Sequence, residues 1–252
     1  MMRGRAAVSA PRGPGHARRS RPAREFSVGL AAVALSVAWL PDSASGSATV
    51  ASRLDCAGTA VSVQAPDRAA ARDACEAATA ATRFLATMGL DVSGAIDLRI
   101  VAALPAGAGA GAIGCFLRER RTAWVLIQSE CRNPEAVFGL SMSKALHRSV
   151  IAHEIGHAIA GENFRISRPE PVAQEYIAYV TQLATMPPAL RDRVLGRYPR
   201  GSSEGPGHLS GPVYMMDPSL FAAIAWRHHV GPEGGAAFIR RVLDGRALAD
   251  AW

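Results

Sequence analysis

The rhythm of apolar positions changes near residue 140. Ahead of it, short stretches alternate with the period of two that marks a half-buried strand. Residues 59–64 form one such stretch, closed by Pro66. Residues 97–104 form another, with Leu98, Ile100 and Ala102 alternating with Arg99 and Val101. Between them Asp67 caps a helical pattern in which Ala74, Ala78, Ala81, Phe84 and Leu85 share one face, and the run stops at about Met88 before Gly89. Cys115-Phe116-Leu117, a charged turn over 118–121 and residues 122–128 predict a hairpin. The Gly/Ala tract 106–114 between these elements reads as a loop. No G-K-[ST] follows it and no helix begins there, so it is not a phosphate loop.

After residue 140 the period is helical almost throughout. Ser141-Met142-Ser143 opens a helix from Lys144, with Gly161 expected as its C-cap. Pro169 and Pro171 open a second helix that Pro187-Pro188 close, and a third runs from Pro218 through Trp226. Residues 232–252 read as one amphipathic helix, with Phe238, Val242 and Leu243 inward and Arg240, Arg241 and Asp244 outward. Strands with one helix, followed by a run of helices, predict an α+β fold: a small antiparallel or mixed N-terminal sheet with one packed helix, then a mainly helical half.

One stretch breaks the apolar pattern in a way that demands chemistry. Residues 150–160 are Val, Ile, Ala and Gly except for His153, Glu154 and His157. Four residues apart on a helix, His153 and His157 project from one face and can grip one ion. Glu154 is rotated about 100° from His153, where its carboxylate can reach a metal-bound water. Three unpaired polar groups in such a helix would be costly to bury, and a zinc ion supplies the missing partner. Two core histidines satisfied by neighbours, in a helical binding protein without metal, would give the same letters. Glu175 lies on the next predicted helix, after a separation that allows an antiparallel return. A carboxylate delivered there would complete three protein ligands and leave one position for water.

The formal charge of +7 does not point to nucleic acid, because seven arginines precede the first acid, Glu25. From residue 46 onward 21 Lys+Arg face 19 Asp+Glu, which is close to balance. That basic start, the apolar run 28–40, and Pro41 with the small polar stretch after it have the layout of an export signal. The run is short for a permanent span. Residues 1–47 are therefore expected as signal peptide and processing region, and 48–252 as a single domain, periplasmic or secreted; an uncleaved anchor is the alternative. Four cysteines agree with export, and Cys56–Cys75 and Cys115–Cys131 are the expected local pairs.

His153-Glu154-Ile155-Gly156-His157 followed by Glu175 resembles the gluzincin branch of the zincin metallopeptidases, over about residues 141–185. Against the metzincin pattern, Gly161 is one place late and Asn163 stands where a third histidine belongs. The resemblance implies a zincin-like domain that holds one Zn2+ through His153, His157 and Glu175, with Glu154 as general base for peptide-bond hydrolysis. Its expected partner is a peptide or protein substrate. An oxyanion donor is also required; His208, Tyr214, His228 and His229 are candidates, with Tyr214 preferred and the two adjacent histidines expected at the surface or helix end. Tyr176, Trp226 and Trp252 are read as core. This sequence departs from the family at Tyr179, where many gluzincins carry an aspartate that orients the first histidine; Gln174, Tyr179 or a backbone carbonyl are the expected substitutes. The alternative function is a non-catalytic zinc-binding protein with a scaffolding or metal-storage role.

Overall fold

A computed structural model describes residues 51–109, 111–132, 137–198 and 208–249. The export segment expected over 1–47 and Trp252 lie outside the described residues. The order of elements is β1 (Ser52–Asp55), β2 (Val61–Ala65), α1 (Arg68–Thr87), β3 (Ile96–Val101), β4 (Gly114–Leu117), β5 (Thr122–Leu126), α2 (Lys144–Asn163), α3 (Pro171–Thr185), α4 (Pro188–Arg197), α5 (Gly211–Met216), α6 (Pro218–Val230) and α7 (Gly235–Leu243). The fold is α+β, a mixed five-stranded sheet followed by helices.

The sheet order is β1-β2-β3-β5-β4. β2, β3 and β5 are parallel neighbours, and the edge strands β1 and β4 pair antiparallel. Register puts Val63 beside Leu98 and Leu98 beside Ala123. All three are fully buried, so these positions form the face covered by helices. The alternate positions, among them Arg99 beside Trp124, turn the other way, and the Arg99 guanidinium lies over the Trp124 ring.

Helix α1 starts where Asp67 accepts a hydrogen bond from Ala70 N at 2.8 Å and ends before Gly89, whose φ of +82° suits a residue without Cβ. The Cys56–Cys75 disulfide ties the end of β1 to this helix. A second set of cross-links joins α1 to the start of α2: Asp73 bonds Lys144 and Arg148 at 2.6 Å each, and Glu76 meets Arg148 at 2.5 Å. At the far ends of the same helices Asn163 accepts from Asp91 N and donates to Asp91 O. The two helices therefore run parallel.

Several expectations need correction. Cys115 and Cys131 are free thiols. Cys115 stands opposite Trp124 on the uncovered side of the hairpin, whereas the Cys131 thiol folds back against the Ile127 carbonyl at 3.5 Å. Burial pushes the Cys131 thiol up to about 11, with Glu130 adding to it. Gly161 is not a C-cap, because α2 continues to Asn163. The C-terminal helix is short: α7 ends at Leu243, and Gly245 with φ +68° turns the chain. Ala247 and Leu248 still pack on the core, which is why the apolar pattern ran on past the helix. β1, α4 and α5 are additional elements. Among the described residues no helix is long and apolar enough to cross a membrane.

Candidate metal centre

Ser143 opens α2 by accepting from Leu146 N at 3.2 Å. The helix is buried on most sides, with Leu146, Ile151, Ile155 and Ile159 inaccessible to solvent. Each of these contributes about 1.5–3 kcal/mol by burial, so the helix position is fixed by packing and not by its polar residues. Helix α3 lies antiparallel against it, brought close by Gly156. A Cβ there would sit 3.1 Å from the Ala178 Cα.

This close seam delivers to one point three side chains that could hold a metal ion. Nε2 of His153 and Nε2 of His157 are 3.0 Å apart. Glu175 on α3 places one carboxylate oxygen 3.6 Å from the first and the other 3.5 Å from the second. Tetrahedral zinc with bonds of about 2.0–2.1 Å sets its ligand atoms about 3.3 Å apart. The donor set also fits: two imidazole nitrogens and a carboxylate form the His2Glu combination of catalytic zinc sites. Side-chain exposures of 12%, 15% and 16% leave the three atoms accessible from one side. Burial holds His153 well below its ordinary range, and the neighbouring His157 lowers it further.

Glu154 lies beside this cluster at 6% exposure. Burial, and then the Glu175 charge, raise it well above the usual carboxylate range. Strand β4 passes directly over it. A side chain at Gly114 would collide with Glu154 Oε1, so the last glycine of the tract is required by close approach.

These groups open into a cleft of about 730 Å3, a size typical of ligand sites. Residues 111–116 form one wall, Val137 and Phe138 another, and Tyr214, Pro218 and Ser219 a third. Arg118 also lines it, and its guanidinium lies over Gly161, where a Cβ would stand 3.2 Å from Nη2. Gly161 itself lies inside α2, at a usual cost of about 1 kcal/mol against alanine.

Of the candidate oxyanion donors, Tyr214 alone lines the cleft. Its phenol is raised above its ordinary range by burial, then by the Glu175 charge and a hydrogen bond to that carboxylate. His228 instead bonds Tyr176 at 2.9 Å, and His229 is buried against Phe84 and Trp226; both stand in the last turn of α6, at the expected helix end, and His229 is not at the surface. Tyr176 is core, as expected, while Trp226 is partly buried beneath Arg191. Asn163 is committed to Asp91 and Ile159, and Asp217 caps α6, so neither joins the ligands. Tyr179 presents its ring to His153 at 4.6 Å in a T-shaped contact, and Gln174 bonds the Pro169 carbonyl. Sequence reasoning overlooked Gly114 and Gln182, a buried amide that also lines the cleft. A polar residue inside the apolar face of α3 was the available signal for the second.

No curated protein and no solved structure matches the chain. Residues 61–252 match a family of unknown function (DUF6639), and the chain belongs to that family.

Proposed function

We propose that this protein is an exported zinc metallopeptidase, similar to gluzincins, in which His153, His157 and Glu175 hold the ion and Glu154 is the general base. The observation that carries the reading is the convergence of three donor atoms at 3.0–3.6 Å, with a fourth ionisable group beside them in an open cleft. When bound, zinc supplies a Lewis acid that polarises a carbonyl and acidifies water. Glu154 takes the proton from the attacking water and passes it to the leaving amine. The Tyr214 hydroxyl, which bonds the Glu175 carboxylate in the free site, turns to donate to the oxygen on which charge develops.

β4 supports a peptide as the substrate. Its pairing partner β5 lies on one side, and it forms the other edge of the sheet beside Glu154. An extended chain can add to such an edge through main-chain hydrogen bonds. A scaffolding or storage role has less support, because an open cleft is unnecessary for holding one ion. The export assignment rests on the sequence layout alone.

The test is zinc content and hydrolysis of a casein digest by the full chain, with Glu175→Ala and Glu154→Gln alongside. About one zinc per parent chain, much less in Glu175→Ala, and full zinc without hydrolysis in Glu154→Gln are the expected results. A parent without zinc ends the reading, and a zinc-loaded parent with no hydrolysis moves it to the non-catalytic role.

A further inference from the structure

We propose that Gln182 is the positioning residue of this centre, its carboxamide oxygen accepting from Nδ1–H of His153 and so fixing the tautomer that leaves Nε2 free for the metal. The inference rests on the zinc reading above and concerns the position at which this chain departs from the gluzincin pattern that it resembles, Tyr179.

A neutral imidazole carries one N–H, and His153 Nε2 is the nitrogen turned toward His157 and Glu175. For Nε2 to act as a ligand, the proton must sit on Nδ1. That nitrogen is buried and has no hydrogen-bond partner within ordinary geometry. Leaving a buried donor unpaired is unfavourable, and metal-bound histidines almost always donate their other N–H to an oxygen. Tyr179 meets the ring edge-on as an aromatic contact and takes the space of a shorter acceptor.

Gln182 is the amide beside His153. It is 3% exposed, and it stands seven residues after Glu175. Seven residues are about two helical turns, so α3 delivers the ligand and its support from one face. The amide has an orienting contact. Its Nε2 points to Ser149 Oγ at 3.4 Å, and Ser149 donates to the Leu146 carbonyl at 2.7 Å. With the nitrogen engaged there, the carboxamide oxygen is the atom left for the histidine. Ser149 is itself four residues before His153, so α2 orients the amide that in turn orients its own ligand. A buried glutamine on an apolar helix face otherwise lacks a reason.

The experiment measures zinc dissociation constants by competition with a chromophoric chelator, on the full chain, with melting temperatures of the metal-free proteins as fold controls. Gln182→Met, similar in length but without an acceptor oxygen, is expected to weaken zinc binding 10–100-fold. Gln182→Glu offers an oxygen in either ionisation state and is expected to bind at least as tightly as the parent. Parent-like affinity in Gln182→Met, or equal weakening in both variants, overturns the inference while the zinc reading stands. If Gln182→Met does not fold, Ser149→Ala, which frees the amide to turn, is expected to weaken zinc several-fold, and no change there overturns it. A parent that binds no zinc removes both readings together.

Discussion

The sheet half and the α2–α3 helix pair are held in different ways. The sheet packs one face onto helices; the Cys56–Cys75 disulfide that ties it to α1, and the Asp73 ion pairs that join α1 to the start of α2, lie away from the cleft. The helix pair is packed on nearly all sides by Ile, Val, Leu and Ala, yet it contains His153, Glu154, His157, Glu175 and Gln182. On the open face of the sheet, side chains such as Gln64 and Arg99 are partly exposed to water, where a polar group is ordinary. The same groups inside a helix seam require partners, and in the reading proposed above a cation is the partner of His153, His157 and Glu175. The comparison separates stability from chemistry and can be tested on each side.

The largest effect is expected at the seam itself, where the two properties meet. Gly156→Val puts three carbon atoms where one already comes within 3.1 Å of the Ala178 Cα, a backbone atom that cannot turn aside. Overpacking of this kind costs about 3 kcal/mol, and α3 must move away from α2. Because Glu175 is one turn before Ala178, the carboxylate leaves the histidines with it. Thermal unfolding and zinc titration should both change, the second by at least tenfold. A variant that melts lower but keeps parental zinc affinity would show that the ligands tolerate a wider seam.

Next in size is a change confined to the sheet half. The Cys56–Cys75 disulfide spans 19 residues, and loss of a loop of that length is worth about 3 kcal/mol in the chain-entropy model. For a domain of this size that is roughly 6–12 °C in melting temperature. The double variant Cys56→Ala/Cys75→Ala should melt lower by about that amount and bind zinc at 25 °C as the parent does. Zinc affinity falling with stability would mean that the sheet positions the ligands through α1, and the separation of roles would fail.

The same contrast explains what the sequence made legible. Local rules located α1 and α2, because Asp67 and Ser143 cap them directly. Spacing on one helix brought His153 and His157 together. The α+β order followed from the change of period near residue 140. Relations between distant segments were not legible. β1 has a short, mostly polar sequence and exists because β2 pairs with it. Gly161 reads as a cap until Arg118 is seen lying over it, and Gly114 reads as loop until β4 crosses Glu154. Cys115 and Cys131 are near in sequence, but the hairpin turns one thiol outward and folds the other onto backbone. Gln182 belongs to no motif; its significance comes from the unpaired nitrogen across the seam.

The smallest effect is expected away from the α2–α3 seam, where α6 meets α1. His229 on α6 packs edge-on against Phe84 of α1 at 5.7 Å, with Trp226 on its other side and 8% exposure. Burial, with His228 adding, lowers it to about 4. The unfolded chain binds this proton near pH 6.5, so between those values the unfolded state carries more protons than the native one. Stability from this group is therefore complete above about pH 6.5 and falls as pH drops toward about 4, by about 2 kcal/mol at pH 5. His229→Leu keeps an apolar contact and removes the titration. Urea unfolding of both metal-free proteins across that range should show the variant losing less stability in acid, with a slope smaller by up to one proton. Ionisable groups common to both proteins cancel in the difference. Equal slopes would mean that His229 takes up its proton as readily in the native state as in the unfolded one, so that burial against Phe84 does not disfavour its charge.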